Sequence, residues 1–332
     1  MISSSHKPLS ARIARGLLLS LGCCLLATMS AASGVKITET DGKVQVEIDG
    51  EPFTEYHYRH VSRPFFYPVL GPGGHKMTRN WPMAEVAGED RDHPHHKSLW
   101  WAHGDVNGID FWSESDRAGQ TVHDCFTELR SGPEMGLIAS RNILMSKEGK
   151  IIGTDERTVR FYSHPTERIV DFEITVRASH GDLVFGDTKE GTMALRLNET
   201  MRLKPNKFNA DKPTGHIVNS EGVRDGETWG KRAAWVDYYG PVDDHLVGVA
   251  IFDHPKNPRH PTWWHVRDYG LFAANPFGIH DFERKPAGAG DLTVPSGQSL
   301  TFRYRIYFHH GNTEEANVAG HYRDYATRPP TE

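Results

Sequence analysis

The stretch Val170-Asp171-Phe172-Glu173-Ile174-Thr175-Val176 alternates apolar and polar side chains without a break. A period of two puts its four apolar residues on one face of a strand and the polar ones on the other. Leu300, Phe302, Tyr304, Ile306 and Phe308 repeat the pattern near the C-terminus, as do Met193, Leu195 and Leu197 between them. Val44, Val46 and Ile48 repeat it near the start, following residues 35–39 across the hairpin signal Asp41-Gly42. Further strands are expected at Phe65–Val69 and at residues 158–162, 232–239, 246–252 and 269–273. One short C-terminal helix is expected at residues 314–325, with Thr313 as N-cap and two glutamates in its first turn. Many strands with Gly/Pro punctuation and almost no helix predict an all-β fold, a large antiparallel β-sandwich; a jelly-roll or distorted barrel is the alternative. No repeat or linker interrupts residues 33–332, which read as one domain. Long loops at residues 71–91, 201–214 and 274–290 are the length at which loops become functional.

The 332 residues carry a formal charge of −5. Lys7, Arg12 and Arg15 precede an apolar run at residues 16–27 that is too short to span a bilayer, and Ser30-Ala31-Ala32 follows. Residues 1–32 therefore read as a signal peptide, and the chain as periplasmic or extracellular. Cys23 and Cys24 raise a lipid anchor as a lesser alternative, because the residues before them match a lipobox poorly. Without this segment, which holds three cations and no anion, the charge becomes −8. That acidic balance argues against nucleic acid as a partner. No later stretch is long and apolar enough for a transmembrane segment. Cys125 is then the only cysteine, so no intrachain disulfide supports the core, and a buried structural role suits it.

Chemistry-bearing residues crowd two places. The first is Asp92-His93-Pro94-His95-His96, then Trp100-Trp101-Ala102-His103 and Asn107-Gly108-Ile109-Asp110-Phe111-Trp112. Pro94 suggests an extended segment with His93 and His95 on one side and His96 on the other. Such imidazoles transfer protons or bind a sugar, and His93, His96 and His103 also offer ligands for a divalent metal. No HExxH and no zinc-type Cys/His spacing is present, so no cofactor is assigned. Trp101 and Trp112 are candidate stacking platforms. Of the adjacent Trp100 and Trp101, one should enter the core and the other approach the cleft. Asn107 is a further substrate contact, and Asp110 is either a turn cap or a catalyst.

The second place is Asp253-His254-Pro255, then Trp263-Trp264-His265-Val266-Arg267-Asp268-Tyr269 and Asn275-Pro276-Phe277. His265 and Arg267 share a strand face, and an arginine beside an imidazole suits a carboxylate or a developing oxyanion. Two such clusters suggest two strands meeting across one cleft. Lesser candidates are Glu199 as acid or base, and Arg79, Lys231, Trp264 and Asn275 as substrate contacts. No phosphate loop, nucleophile elbow or dinucleotide fingerprint occurs, which argues against nucleotide-driven and serine-hydrolase chemistry.

Arg63-Pro64, Tyr67-Pro68, Asp92-His93-Pro94-His95-His96 and Asn107-Gly108 with Asp110-Phe111-Trp112 resemble secreted bacterial proteins labelled PmoA-like. So do Trp229-Gly230-Lys231-Arg232 with Trp235, Asp253-His254-Pro255, and Trp264-His265-Val266-Arg267 with Tyr269-Gly270. The label refers to a membrane-embedded methane oxygenase subunit, which this chain could not be, so the resemblance implies no catalytic residues. It implies a setting of polysaccharide breakdown. A looser, architectural likeness is to the galactose-mutarotase-like β-supersandwich. The leading expectation is an exported carbohydrate-active protein performing acid/base chemistry on a sugar or glycoside, by hydrolysis, elimination or epimerisation. His95 and His265 would move protons and Arg267 would stabilise an oxyanion or carboxylate. The alternatives are a non-catalytic glycan-binding module and a metal-dependent, copper-type oxygenase.

Overall fold

The computed structural model describes residues 1–5, 33–212 and 214–327. The leader reading, with Cys23 and Cys24, falls outside the described residues.

Strands β1 (Val35–Thr40), β2 (Lys43–Ile48), β3 (Glu51–His57), β4 (Phe65–Val69) and β5 (Leu99–His103) come first. The long strands β6 (Gln120–Arg130), β7 (Met135–Met145), β8 (Ile151–Tyr162) and β9 (Arg168–Arg177) follow. Next are β10 (Leu183–Phe185), β11 (Gly191–Arg196), β12 (His216–Asn219), β13 (Arg232–Ala233) and β14 (Trp235–Val242). The remaining strands are β15 (His245–Asp253), β16 (Thr262–Val266), β17 (Leu271–Asn275), β18 (Leu292–Val294) and β19 (Ser299–His310). One open sheet runs β1-β2-β3-β4-β5-β11-β17-β16-β13 and the other β12-β14-β15-β19-β9-β8-β7-β6, while β10 pairs with β18 alone. Neither large sheet closes, so the fold is the antiparallel sandwich and not the barrel.

The alternation that predicts β9 is what builds the core. Val170, Phe172, Ile174 and Val176 are each at most 1% exposed. Opposite them in register stand Ile306, Tyr304, Phe302 and Leu300 of β19. On the other face Glu173 pairs with Arg303 and Asp171 with Arg305, both at 2.6 Å. Each such cross-strand pair contributes roughly 0.2–1 kcal/mol.

The C-terminal helix α2 (Val318–Thr327) begins four residues later than expected. The Thr313 hydroxyl donates to Asp237 instead of capping. Asn312 Oδ1 takes the Glu314 and Glu315 amides, which holds residues 313–317 as turns. A second short helix, α1 (Ile279–Glu283), forms inside the loop at residues 274–290. Among the described residues no helix is long and apolar enough to cross a membrane.

What positions the site is one row across the first sheet. Trp100 of β5 pairs with Ala194 of β11, Ala194 with Ala273 of β17, and Ala273 with His265 of β16. Residues in register share a face, so Trp100 and His265 stand on the outer face three strand spacings apart, roughly 14 Å. The small side chains between them leave room for the rings of Trp100, Trp112 and Tyr269 to pack above the sheet. The two clusters therefore do not lie on adjacent strands, since two alanine-bearing strands separate them. Trp101, Met193, Leu195, Phe272 and Trp264 carry the opposite parity and enter the core between the sheets.

Candidate active site

A cleft of about 480 Å³ opens above this row, within the roughly 300–1,000 Å³ usual for small-ligand sites. His93, His95, His96, Asp110 and Trp112 line it from the first cluster, and His265, Arg267 and Tyr269 from the second. Gly104, Ser113, Lys189 and Glu190 complete the wall.

The histidines sit on a turn rather than on extended chain. The His96 amide donates to the His93 carbonyl at 3.0 Å, and His93 has φ of 40°. Pro94 thus occupies the second position of a four-residue turn, where its fixed φ is favourable. All three rings consequently cluster, with His95 and His96 centroids 4.5 Å apart and His93 stacked on His96 at 4.7 Å. Tyr269 also stacks on His93, at 5.3 Å. It can do so because Tyr269 lies in the turn before β17, closed by Gly270 at φ of 89°.

Three buried guanidiniums hold the turn. Arg63 donates to the His95 carbonyl and to Phe111 O at 3.3 Å. Arg79 donates to the Asp92 carboxylate, to Asp92 O at 2.9 Å and to His93 O at 3.2 Å. Arg196 donates to Asp92 Oδ1 at 3.1 Å and to His96 Nδ1 at 3.2 Å. Burial raises the Asp92 carboxyl, but the hydrogen bond with His93 and the charges of Arg196 and Arg79 outweigh it and hold it well below the usual range. Burial and the neighbouring Arg79 bring Arg196 down to about 10, which leaves it a cation at neutral pH.

The groups that face the cleft are less engaged. Burial, then Arg63 and His93, pull His95 down to about 4. Burial, then Arg267 and Lys189, pull His265 down to about 3. Both are neutral at pH 7. His265 Nδ1 accepts from Trp229 Nε1 at 2.9 Å, so its proton is on Nε2. No described side chain or backbone group hydrogen-bonds the His95 ring. Arg267 forms no ion pair among the described residues; its guanidinium lies over Tyr269 at 5.4 Å and Trp229 at 5.9 Å. The neighbouring Lys189 is paired with Glu190 at 3.0 Å.

A family model for a family of unknown function, DUF6807, matches residues 43–323. The chain belongs to this family. The match does not carry the PmoA-like label. No curated protein matches the DUF6807 chain. Among solved structures it is similar to the galactosidase domain of the alpha-galactosidase–sucrose kinase AgaSK, at 7% identity and TM-score 0.42 over 83% of this chain and 42% of that one. It is also similar to a variant of a glycoside hydrolase family 97 enzyme from Pseudoalteromonas sp. strain K8, at 12% identity and TM-score 0.34 over 83% and 34%. A galactose mutarotase related enzyme from Lactobacillus acidophilus matches at 10% identity and TM-score 0.30 over 84% and 98%. The DUF6807 chain thus spans about two fifths and one third of the first two proteins.

Several residues proposed from the sequence lie elsewhere. Trp101 and Trp264 are in the core, packed on Phe302 and Phe272, because pairing parity turns them inward. Glu199, 3% exposed, accepts from Arg202 and Asn206 at 2.5 and 2.7 Å behind the site. Arg79 is wholly buried and supports the histidine turn without lining the cleft. Asn107 clamps β10 through Asp182 O and the Val184 amide. Asn275 holds the Thr188 carbonyl beside Lys189, and Lys231 is exposed at the surface. His103 is buried against Phe185 and Phe277 with Nε2 on Gly186 O at 2.8 Å, so it cannot join His93 and His96 around a metal. Among the described residues no three His, Cys, Asp or Glu side chains converge suitably for one. Asp110 does cap a turn, taking the Trp112 amide at 2.7 Å, and it lines the cleft as well. Lys189 and Glu190 carry no sequence signal as contacts and read as ordinary surface charge, whereas in the turn Trp229-Gly230-Lys231-Arg232 it is Trp229, and not Lys231, that reaches His265.

Proposed function

We propose that the protein is a carbohydrate-active enzyme performing acid/base chemistry on a sugar or glycoside in this cleft. One observation carries the reading. His95, the Nε2–H of His265 and the Arg267 guanidinium all border one small cleft, and none has a polar partner among the described residues. Unengaged polar groups beside aromatic rings are the equipment for orienting a hydroxyl-rich ring.

The protonation states support a division of roles. A neutral His95 accepts a proton from carbon or hydroxyl as general base. His265 stays neutral and donates from Nε2, polarising the oxygen on which charge develops, and Arg267 stabilises that charge. Trp229 fixes the His265 tautomer. Tyr269 and Trp112 form aromatic walls.

The test is turnover of an oligosaccharide panel that includes 3-keto and uronic-acid derivatives, with and without EDTA. Turnover lost in folded His95→Ala and His265→Ala proteins supports the assignment. Full turnover in both variants refutes it. Saturable binding without turnover by the native protein favours a glycan-binding module.

A further inference from the structure

Beyond the histidine cleft, Arg267 also borders a second depression of about 310 Å³, whose other walls are Gly226, Trp229, Val266 and Asp268. The two hollows therefore share one cationic wall. Trp229 is partly exposed there, so an indole face is offered beside a guanidinium that has no acid partner. Asp268 forms no ion pair among the described residues either, which leaves its carboxylate to accept hydroxyl groups. A single positive charge at the junction calls for one negative charge on the ligand at that point. Asp268 in the outer hollow repels a second one and suits a neutral polyol. Trp229 adds a stacking surface for that neutral ring.

We infer that the ligand is an acidic glycan fragment of at least two sugar units, with a carboxylate on Arg267, the acidic unit in the histidine cleft and a neutral unit over Trp229 beside Asp268. This rests on the carbohydrate reading above and adds charge and length to it. Gly226 supplies a clean way to test length. A Cβ built there meets nothing within 4 Å, so a large side chain can be added at the wall of the outer hollow without displacing the fold.

The experiment measures binding of three kinds of probe by calorimetry. These are uronic-acid monosaccharides, uronic acid linked to a neutral hexose, and the matching neutral disaccharides, each in gluco, galacto and manno forms. The inference expects one acidic disaccharide to bind at least about tenfold more tightly than its neutral counterpart and its acidic monomer, the weight of one charge-assisted contact. Arg267→Gln should abolish the charge preference and Arg267→Lys should restore part of it. Gly226→Trp should reduce the disaccharide-to-monomer affinity ratio about tenfold, and thermal melting confirms that each variant is folded. Neutral sugars binding as well as acidic ones overturn the inference and leave the carbohydrate reading intact. Monomers binding as well as disaccharides do the same. Absence of binding to every sugar overturns both.

Discussion

Lowering the pH from 7 to 5 should destabilise the protein through histidines that the fold keeps neutral, His103 and His265 among them. His103 is 0% and His265 2% exposed. Burial brings His103 down to about 4 and, with Arg267 and Lys189 added, His265 to about 3. In the unfolded chain both titrate near 6.5. Below that pH the unfolded state binds protons that the native state refuses, so stability falls with pH until the folded values are reached near 4 and 3. At pH 5 each ring is about 1.5 pH units below its unfolded midpoint, which costs about 2 kcal/mol. Together they remove about 4 kcal/mol, a large share of the roughly 5–15 kcal/mol that holds a domain folded. His103→Gln can retain the donation to Gly186 O without a titrating ring, so it should lose about 2 kcal/mol less over the same interval. The assay is urea unfolding followed by tryptophan fluorescence at pH 7, 6 and 5. If native and His103→Gln proteins lose stability in parallel, His103 is not held neutral by the fold and the reasoning fails.

Activity should respond to acid on a different scale. Catalysis by neutral His95 persists until the ring protonates, so the acid limb of kcat/KM should fall near pH 4 rather than 6.5, and a limb at 6.5 would remove His95 as base. Replacing His95 or His265 by alanine should lower kcat by about 10²–10⁴, the usual weight of a general acid or base, with melting temperature as the control. Arg79→Ala should cost about 1–3 kcal/mol by leaving the Asp92 and His93 carbonyls without their donor, read as a lowered urea midpoint. Trp229→Phe keeps a ring but frees His265 Nδ1, so it should depress kcat more than it raises KM; an effect on KM alone would leave Trp229 as a platform only.

The sandwich was legible because strands exposed on one side write their parity into the sequence, as β2 and β9 do. β11 has all six residues buried, and there alternation records size rather than polarity. Met193 and Leu195 fill the core while Ala194 clears space above. Trp100 and Trp101 could not be told apart from their own letters, since the partners Ala194 and Met193 decide which stands on the cleft side of the sheet. The histidine cluster announced itself by composition, yet its geometry did not, because a tertiary arginine cradle fixes a turn that Pro94 alone leaves open. Arg196 gave no signal, being a single cation in unremarkable surroundings, and Arg63 entered only through the resemblance carried by Arg63-Pro64.

That cradle sets the order in which the molecule can acquire its site. Arg63 reaches His95 from 32 positions away, Arg79 reaches His93 from 14, and Arg196 reaches Asp92 from 104. The last of these requires β11 to be in place beside β5, and a loop of that length closes only after shorter ones. Sheet structure therefore precedes a functional cleft during refolding, and ligand binding should recover later than the far-ultraviolet signal. A nascent chain that ends before Arg196 carries every histidine of the turn and still lacks one of the three guanidiniums that hold them together.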